Sequence, residues 1–121
     1  AGLTPAERAR IPATIAESSD ARYRKYVLDS VSGHGAPPAA VSRMIEAMAV
    51  WNETMGEKAA NIAAEGRTVL VVAGAGHVLY KAGILESAAR RGAGSPKVLL
   101  PLPAAPQTDE LALADWFRVS P

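Results

Sequence analysis

The sequence predicts an α/β domain dominated by helices, with a small, mostly parallel sheet and one long central helix. Three observations predict it. The run Val69-Leu70-Val71-Val72-Ala73 is apolar throughout, the pattern of a strand buried on both faces of a parallel sheet. Upstream, Val41, Met44, Ile45, Met48, Trp51, Met55, Ala59 and Ile62 recur at three- and four-residue steps, which is helical spacing. Between these elements lie caps, glycines and prolines in the positions where helices start and stop.

The elements follow in order. Thr4-Pro5-Ala6-Glu7 reads as a helix start, with Thr4 as N-cap, Pro5 in the first turn and Glu7 in the capping-box position. Pro12 keeps that helix short. Ser18-Ser19-Asp20 offers a second N-cap, and residues 20–32 follow with Tyr23, Val27 and Val31 on one face. Gly33 supplies a stop, and Gly33-His34-Gly35-Ala36-Pro37-Pro38 reads as a loop, with His34 an exposed member of it. From Pro38 or Ala39 to about Ala64 the pattern predicts a helix close to 40 Å long at about 1.5 Å per residue. Gly56 is its weak point, costing about 1 kcal/mol relative to alanine.

Gly66 ends that helix, and the apolar run is expected as the central strand. Val78 to Lys81 read as a helical turn broken near Gly83. Residues 84–91 read as a helix with basic residues at its C-terminus and Gly92 closing it. Lys97 to Leu102 form a second expected strand, where Pro101 implies an edge or an end. The tail from Leu111 to Val119 offers a short third strand. Two or three strands make a poor sheet for a doubly buried strand. The chain, residues 1–121 as a single domain, therefore reads as half of a larger α/β domain, or as one that completes its sheet with another chain.

Composition narrows the function. A formal net charge of +1 argues against a nucleic-acid binder built on bulk charge. The apolar run is far too short to span a membrane. With no cysteine there is no disulfide framework, zinc–thiolate site or thiol nucleophile. His34 and His77 are the two histidines, too few for an all-histidine metal site within one chain.

The glycine turn Gly74-Ala75-Gly76 after the apolar run, with His77 next, marks the candidate site, at the carboxyl end of the expected strand. A helix starting near His77 would favour a neutral imidazole or an anion. A dinucleotide fingerprint needs a third glycine where Leu79 stands, and an acid in the next strand, where Lys97 to Leu102 hold none. No Gly-x-Ser-x-Gly elbow is present for a serine nucleophile. Taken alone, His77 suits a helix cap or a turn, Tyr23 and Tyr26 suit an amphipathic helix, and the Met44-Met48-Trp51-Met55 stripe suits a core.

Several segments together resemble the ChaN-like haem-binding uptake family of the Tiki superfamily. These are Leu3-Thr4-Pro5-Ala6-Glu7-Arg8-Ala9 with Asp20-Ala21-Arg22-Tyr23-Arg24, and Arg43-Met44 through Ala47-Met48 to Trp51-Asn52-Glu53-Thr54-Met55. They continue with Gly74-Ala75-Gly76-His77-Val78-Leu79-Tyr80 and Gly83-Ile84, and end with Ala114-Asp115-Trp116. The match resembles the C-terminal half of that domain. Lys81 and Leu85 depart from its pattern, and the family's earlier Gly-Glu-x-His motif does not occur.

The resemblance implies a haem carrier for bacterial iron uptake rather than a catalyst. It implies a periplasmic or outer-membrane-associated lipoprotein, a homodimer, and an outer-membrane haem-uptake partner. It implies Tyr23 as iron ligand, with His77 as its partner or as the alternative ligand and Tyr80 as a competing candidate. Gly74, Gly76 and Met48 would then line the cofactor site, and Arg43 or Lys81 would meet the propionates. The alternatives are a metal-dependent hydrolase-like domain of the same superfamily and a structural or partner-binding domain without a ligand.

Overall fold

The computed structural model describes residues 2–33, 35 and 37–119. Its elements run α1 (Pro5–Arg8), α2 (Ala21–Ser32) and α3 (Pro38–Ala64), then single 3-10 turns at Ala75–His77 and Leu79–Lys81. They continue with α4 (Ile84–Arg90), β1 (Leu99–Leu102), a third 3-10 turn at Glu110–Leu113, and β2 (Trp116–Val119). This is the expected helix-rich α/β fragment with a long central helix and a small parallel sheet. His34, read as an exposed loop residue, lies outside the described residues.

Local chemistry sets the helix ends. Thr4 and Glu7 cap α1 reciprocally, side chain to backbone in both directions. Asp20 caps α2 by accepting from the backbone N–H groups of Arg22 and Tyr23. The Arg22 guanidinium, 2.6 Å away, holds the Asp20 carboxyl down at about 2. α3 starts on Pro38, where a missing N–H costs nothing, and runs for 27 residues. The chain leaves it through Gly66 at φ +78°.

α3 is the scaffold. Its buried positions are Ala49, Asn52, Glu53, Gly56, Ala59 and Ala60, mostly small residues that allow close approach. α4 packs there: a Cβ on Gly56 would stand 2.3 Å from Ser87 Oγ and 2.9 Å from the Ala88 nitrogen. Glu53, at 2% exposure, meets Arg90, Arg91 at 2.6 Å and Ser87 Oγ at 3.3 Å. A carboxylate buried this deeply is tolerable only when paired and hydrogen-bonded.

β1 and β2 pair in parallel, Leu99 opposite Trp116 and Leu102 opposite Val119. Asp115 fixes the start of that register. Its carboxylate accepts from the Val98 N–H at 2.9 Å, while the Val98 carbonyl accepts from the N–H groups of Asp115 and Trp116. Pro101 sits inside β1, as an edge strand permits. The sheet shields one core of Leu79, Leu85, Val98, Leu100 and Ala114. A second cluster of Tyr23, Val27 and Ala82 lies toward α2, and Tyr26 and Tyr80 pack against both.

Two sequence expectations need correction. The segment Val69–Ala73 is neither helix nor strand. None of the backbone groups from Thr68 to Ala73 hydrogen-bonds to another described backbone group, and Leu70 and Val72 are 88% and 89% exposed. A doubly buried strand needs a ladder neighbour and cover on both faces, and β1 and β2 are paired with each other. The run has the side chains of a central strand without the surroundings of one. The methionine–tryptophan stripe is core only in part: Met48 packs against the Tyr23 cluster, while Met44 is 44% and Trp51 51% exposed. α3 turns mostly small residues inward, with Glu53 the large exception.

Gly56 accordingly has the opposite meaning from its helix propensity. Gly56→Ala would gain about 1 kcal/mol in an exposed helix. Here the added methyl collides with Ser87 and the α4 backbone, and the expected net effect is a loss of about 1–3 kcal/mol. A urea titration of the two proteins checks this; a more stable alanine variant would overturn the close-packing account.

Candidate functional site

The glycine turn builds the site. Gly74 enters it in an extended conformation, and a single 3-10 turn over Ala75–His77 follows. Its hydrogen bonds run from the His77 N–H to the Gly74 carbonyl and from the Val78 N–H to the Ala75 carbonyl. His77 thus ends a 3-10 turn instead of opening a helix, which corrects the expected helix-dipole effect on its ring.

The chain then takes an unusual course. Tyr80 and Lys81 both have φ of +60°, a left-handed conformation costing about 1–2 kcal/mol per residue without glycine. Packing holds them there. The Arg22 guanidinium lies 5.2 Å from the Tyr80 ring centroid, and Lys81 pairs with Asp115 at 3.8 Å. Gly83, at φ +59° and ψ −113°, allows the closest approach in the site. A Cβ there would stand 2.4 Å from the His77 carbonyl oxygen, 2.9 Å from the Tyr23 hydroxyl and 3.1 Å from Asn52 Nδ2.

The side chains of those three residues belong to one hydrogen-bond chain. The Tyr23 hydroxyl donates to the Gly76 carbonyl at 2.8 Å and accepts from Asn52 Nδ2 at 2.9 Å. Asn52 Oδ1 lies 2.8 Å from His77 Nδ1. Asn52 is 6% exposed and Tyr23 3%, so the chain is shielded from water over most of its length. It ties α2, α3 and the glycine turn together.

A hollow lies on either side. One, of about 190 Å³, has Tyr23, Val27, Ile45, Met48 and Glu86 among its walls. The other is a groove of about 480 Å³ bounded by Ile11, Val50, Trp51, Thr54, Met55 and His77. Its surface is largely apolar, and the Trp51 and His77 rings meet edge to face with centroids 6.0 Å apart. The groove falls within the range of about 300–1,000 Å³ usual for organic ligands, and the smaller hollow falls below it.

Burial sets the protonation of both aromatic candidates. It pushes the Tyr23 hydroxyl above its ordinary pKa, against the opposing hydrogen bond from Asn52. It pulls His77 below its ordinary value, so at neutral pH the phenol is protonated and the imidazole neutral.

The structure brings Tyr23, Gly76 and His77 together, with Gly74 at the entry to the turn and Tyr80 packed on α2 through Arg22. Met48 lines the smaller hollow with Asn52 and does not line the groove. Arg43 is exposed on α3, and Lys81 is engaged by Asp115. Neither lines the groove. Among the described residues no three of His, Asp and Glu come together as a metal-binding group.

Sequence reasoning passed over Asn52 and Gly83 as site residues. The signal for Asn52 was available: an amide between Met48 and Met55 on a helical stripe is a polar group where an apolar one is expected. Gly83 carried no comparable signal, because its role depends on what folds against it.

A family model described as haem-binding uptake, Tiki superfamily, ChaN, matches residues 1–87. The match takes in α1 to α3, the glycine turn and the start of α4. No curated protein and no solved structure matches the chain.

Two outcomes follow from the packing and the charge state. Gly83→Ala places a methyl against His77, Tyr23 and Asn52 in a backbone region alanine avoids, and should cost more than about 1 kcal/mol. Chemical denaturation checks it, and an unchanged midpoint would contradict the close approach. For His77, a lowered folded pKa means that the unfolded chain binds the extra proton first. This contribution to stability is complete above about pH 6.5, the unfolded value, and is lost as the pH falls toward the folded pKa. Between about pH 8 and pH 5 the natural protein should lose stability on acidification relative to His77→Phe, read as denaturation midpoints; parallel curves would contradict the shift.

Proposed function

This chain belongs to the haem-binding uptake family of the Tiki superfamily, ChaN, and from that premise we propose that it binds haem in the groove beside α3, with His77 at the iron. The observation carrying the reading is the position of the imidazole. A neutral, half-buried histidine edges an apolar groove of about 480 Å³ whose other walls include Trp51, Met55, Val50 and Ile11. That volume and lining suit a flat apolar macrocycle. Bound there, haem would supply a Lewis-acidic iron, and His77 would be the residue that holds it.

His77 is preferred to Tyr23 as the ligand on chemical grounds. A tyrosinate ligand needs an accessible, ionised oxygen. The Tyr23 oxygen is buried, bonded on both sides and raised in pKa. Tyr23 then belongs behind the ligand, not at the iron. For the propionates, this reading takes Arg43, one of two cations on α3 with Lys58, about 12 Å along the helix from Trp51. Lys81 would first have to release Asp115. A non-catalytic carrier role, a periplasmic or outer-membrane location and a homodimer are parts of the proposal that rest on family membership alone.

A haemin titration followed by absorbance tests it. The natural protein should show saturable binding with a shifted Soret band, and His77→Ala should weaken binding at least tenfold and change the spectrum. Tyr23→Phe should keep the spectral type of the natural complex. A spectrum lost in Tyr23→Phe but intact in His77→Ala would move the iron to the tyrosine. No saturable binding to the natural protein would overturn the haem reading.

A further inference from the structure

A neutral histidine offers a lone pair on one ring nitrogen only, and which nitrogen is decided by hydrogen bonding. Here the decision can be followed from a group that has no choice. The Gly76 carbonyl oxygen can only accept, so at 2.8 Å the Tyr23 hydroxyl must give it its single proton. The Tyr23 oxygen has no second proton, so the contact with the Asn52 side chain at 2.9 Å requires an N–H from Asn52. The amide is thereby oriented with Nδ2 toward Tyr23 and Oδ1 toward His77. Since Oδ1 is an acceptor, His77 Nδ1 at 2.8 Å must carry the ring proton. The reverse orientation would set the Tyr23 and Gly76 oxygens against each other with no proton between them.

We infer that Tyr23 and Asn52 are positioning residues that lock His77 in its Nδ1–H form and leave the Nε2 lone pair free at the groove. Nε2 has no hydrogen-bond partner among the described residues, and it is not among the buried polar atoms left without one. It is therefore accessible, on a residue that lines the groove. The ring is also held in place: Asn52 is buried on a rigid helix, Gly83 closes against the Asn52 amide, and Trp51 meets the ring at its edge. An imidazole with its second nitrogen anchored in this way is the usual support for a metal ligand. The group it fits is a borderline Lewis acid, a haem iron in the proposed reading or a divalent transition ion in a smaller ligand. The inference deepens the haem reading in naming the atom, but the proton order stands on the chain's own contacts.

The test is made on the haem-free protein. Two-bond proton–nitrogen NMR correlations of the His77 ring, recorded near pH 8 where the ring is neutral, distinguish the protonated nitrogen from the bare one. The natural protein should show a single tautomer with the proton on Nδ1. Tyr23→Phe removes the hydroxyl that orients the amide, and Asn52→Leu removes the acceptor. Both should convert the ring to a mixture with a substantial Nε2–H share, while Tyr23→Phe keeps the ring packing of the natural protein. Haemin affinity should fall about tenfold to a hundredfold in Asn52→Leu.

If Asn52→Leu fails to fold, Tyr23→Phe, which deletes one oxygen atom, decides the point. A natural protein with the proton on Nε2, or a folded Tyr23→Phe with the natural tautomer unchanged, overturns the inference. The expected tautomers in a protein that binds no haemin uphold the relay and remove only the haem reading.

Discussion

One turn of α3 carries the constraint on which the rest depends. Asn52, Glu53 and Gly56 are all buried within five residues of one helix. Each secures a different neighbour: Asn52 holds Tyr23 on α2 and His77 on the glycine turn, Glu53 holds Arg90 and Arg91, and Gly56 admits Ser87. Polar groups at that depth are costly unless satisfied. Their partners are therefore specified in a way that apolar packing alone would not specify.

The same economy explains the two strained residues. Tyr80 and Lys81 adopt positive φ without being glycine, a cost that persists only where surrounding contacts outweigh it. Tyr80 packs against both apolar clusters and lies under Arg22, and Lys81 reaches Asp115, which in turn fixes the β1–β2 register. The glycine turn is thus clamped on one side by α2 and α3 and on the other by the sheet. A ligand-bearing imidazole is precise only when its support is rigid, and this turn has support from both directions.

The segment from Thr68 to Ala73 stands apart. It joins the clamped turn to α3, makes no backbone hydrogen bond to another described residue, and exposes Leu70 and Val72. Strand-forming side chains with unpaired backbone groups are the features that other polypeptides recognise at sheet edges. Val69 and Ala73 are half-buried, but Leu70 and Val72 are left almost wholly uncovered by the described residues. Its chemistry is that of an interior element.

The sequence by itself determined the helices, their caps and the glycine turn. Thr4, Glu7 and Asp20 act locally, the spacing from Val41 to Ile62 is periodic, and Gly74 to Gly76 must turn whatever surrounds them. Such features rest on interactions within a few residues, so one chain read alone reveals them. Tertiary structure decided the remainder. Val69 to Ala73 becomes a strand only with neighbours, and an apolar pattern cannot report whether neighbours are present. Gly56 reads as a flaw until Ser87 stands against it, and Gly83 has no meaning before Tyr23, Asn52 and His77 converge on it. Within the proposed haem reading, the ligand role moves from Tyr23 to His77 for the same reason. A phenol and an imidazole are both candidates as residue types, and burial with hydrogen-bond direction, set by groups 25 to 53 positions apart, decides which nitrogen or oxygen is left free.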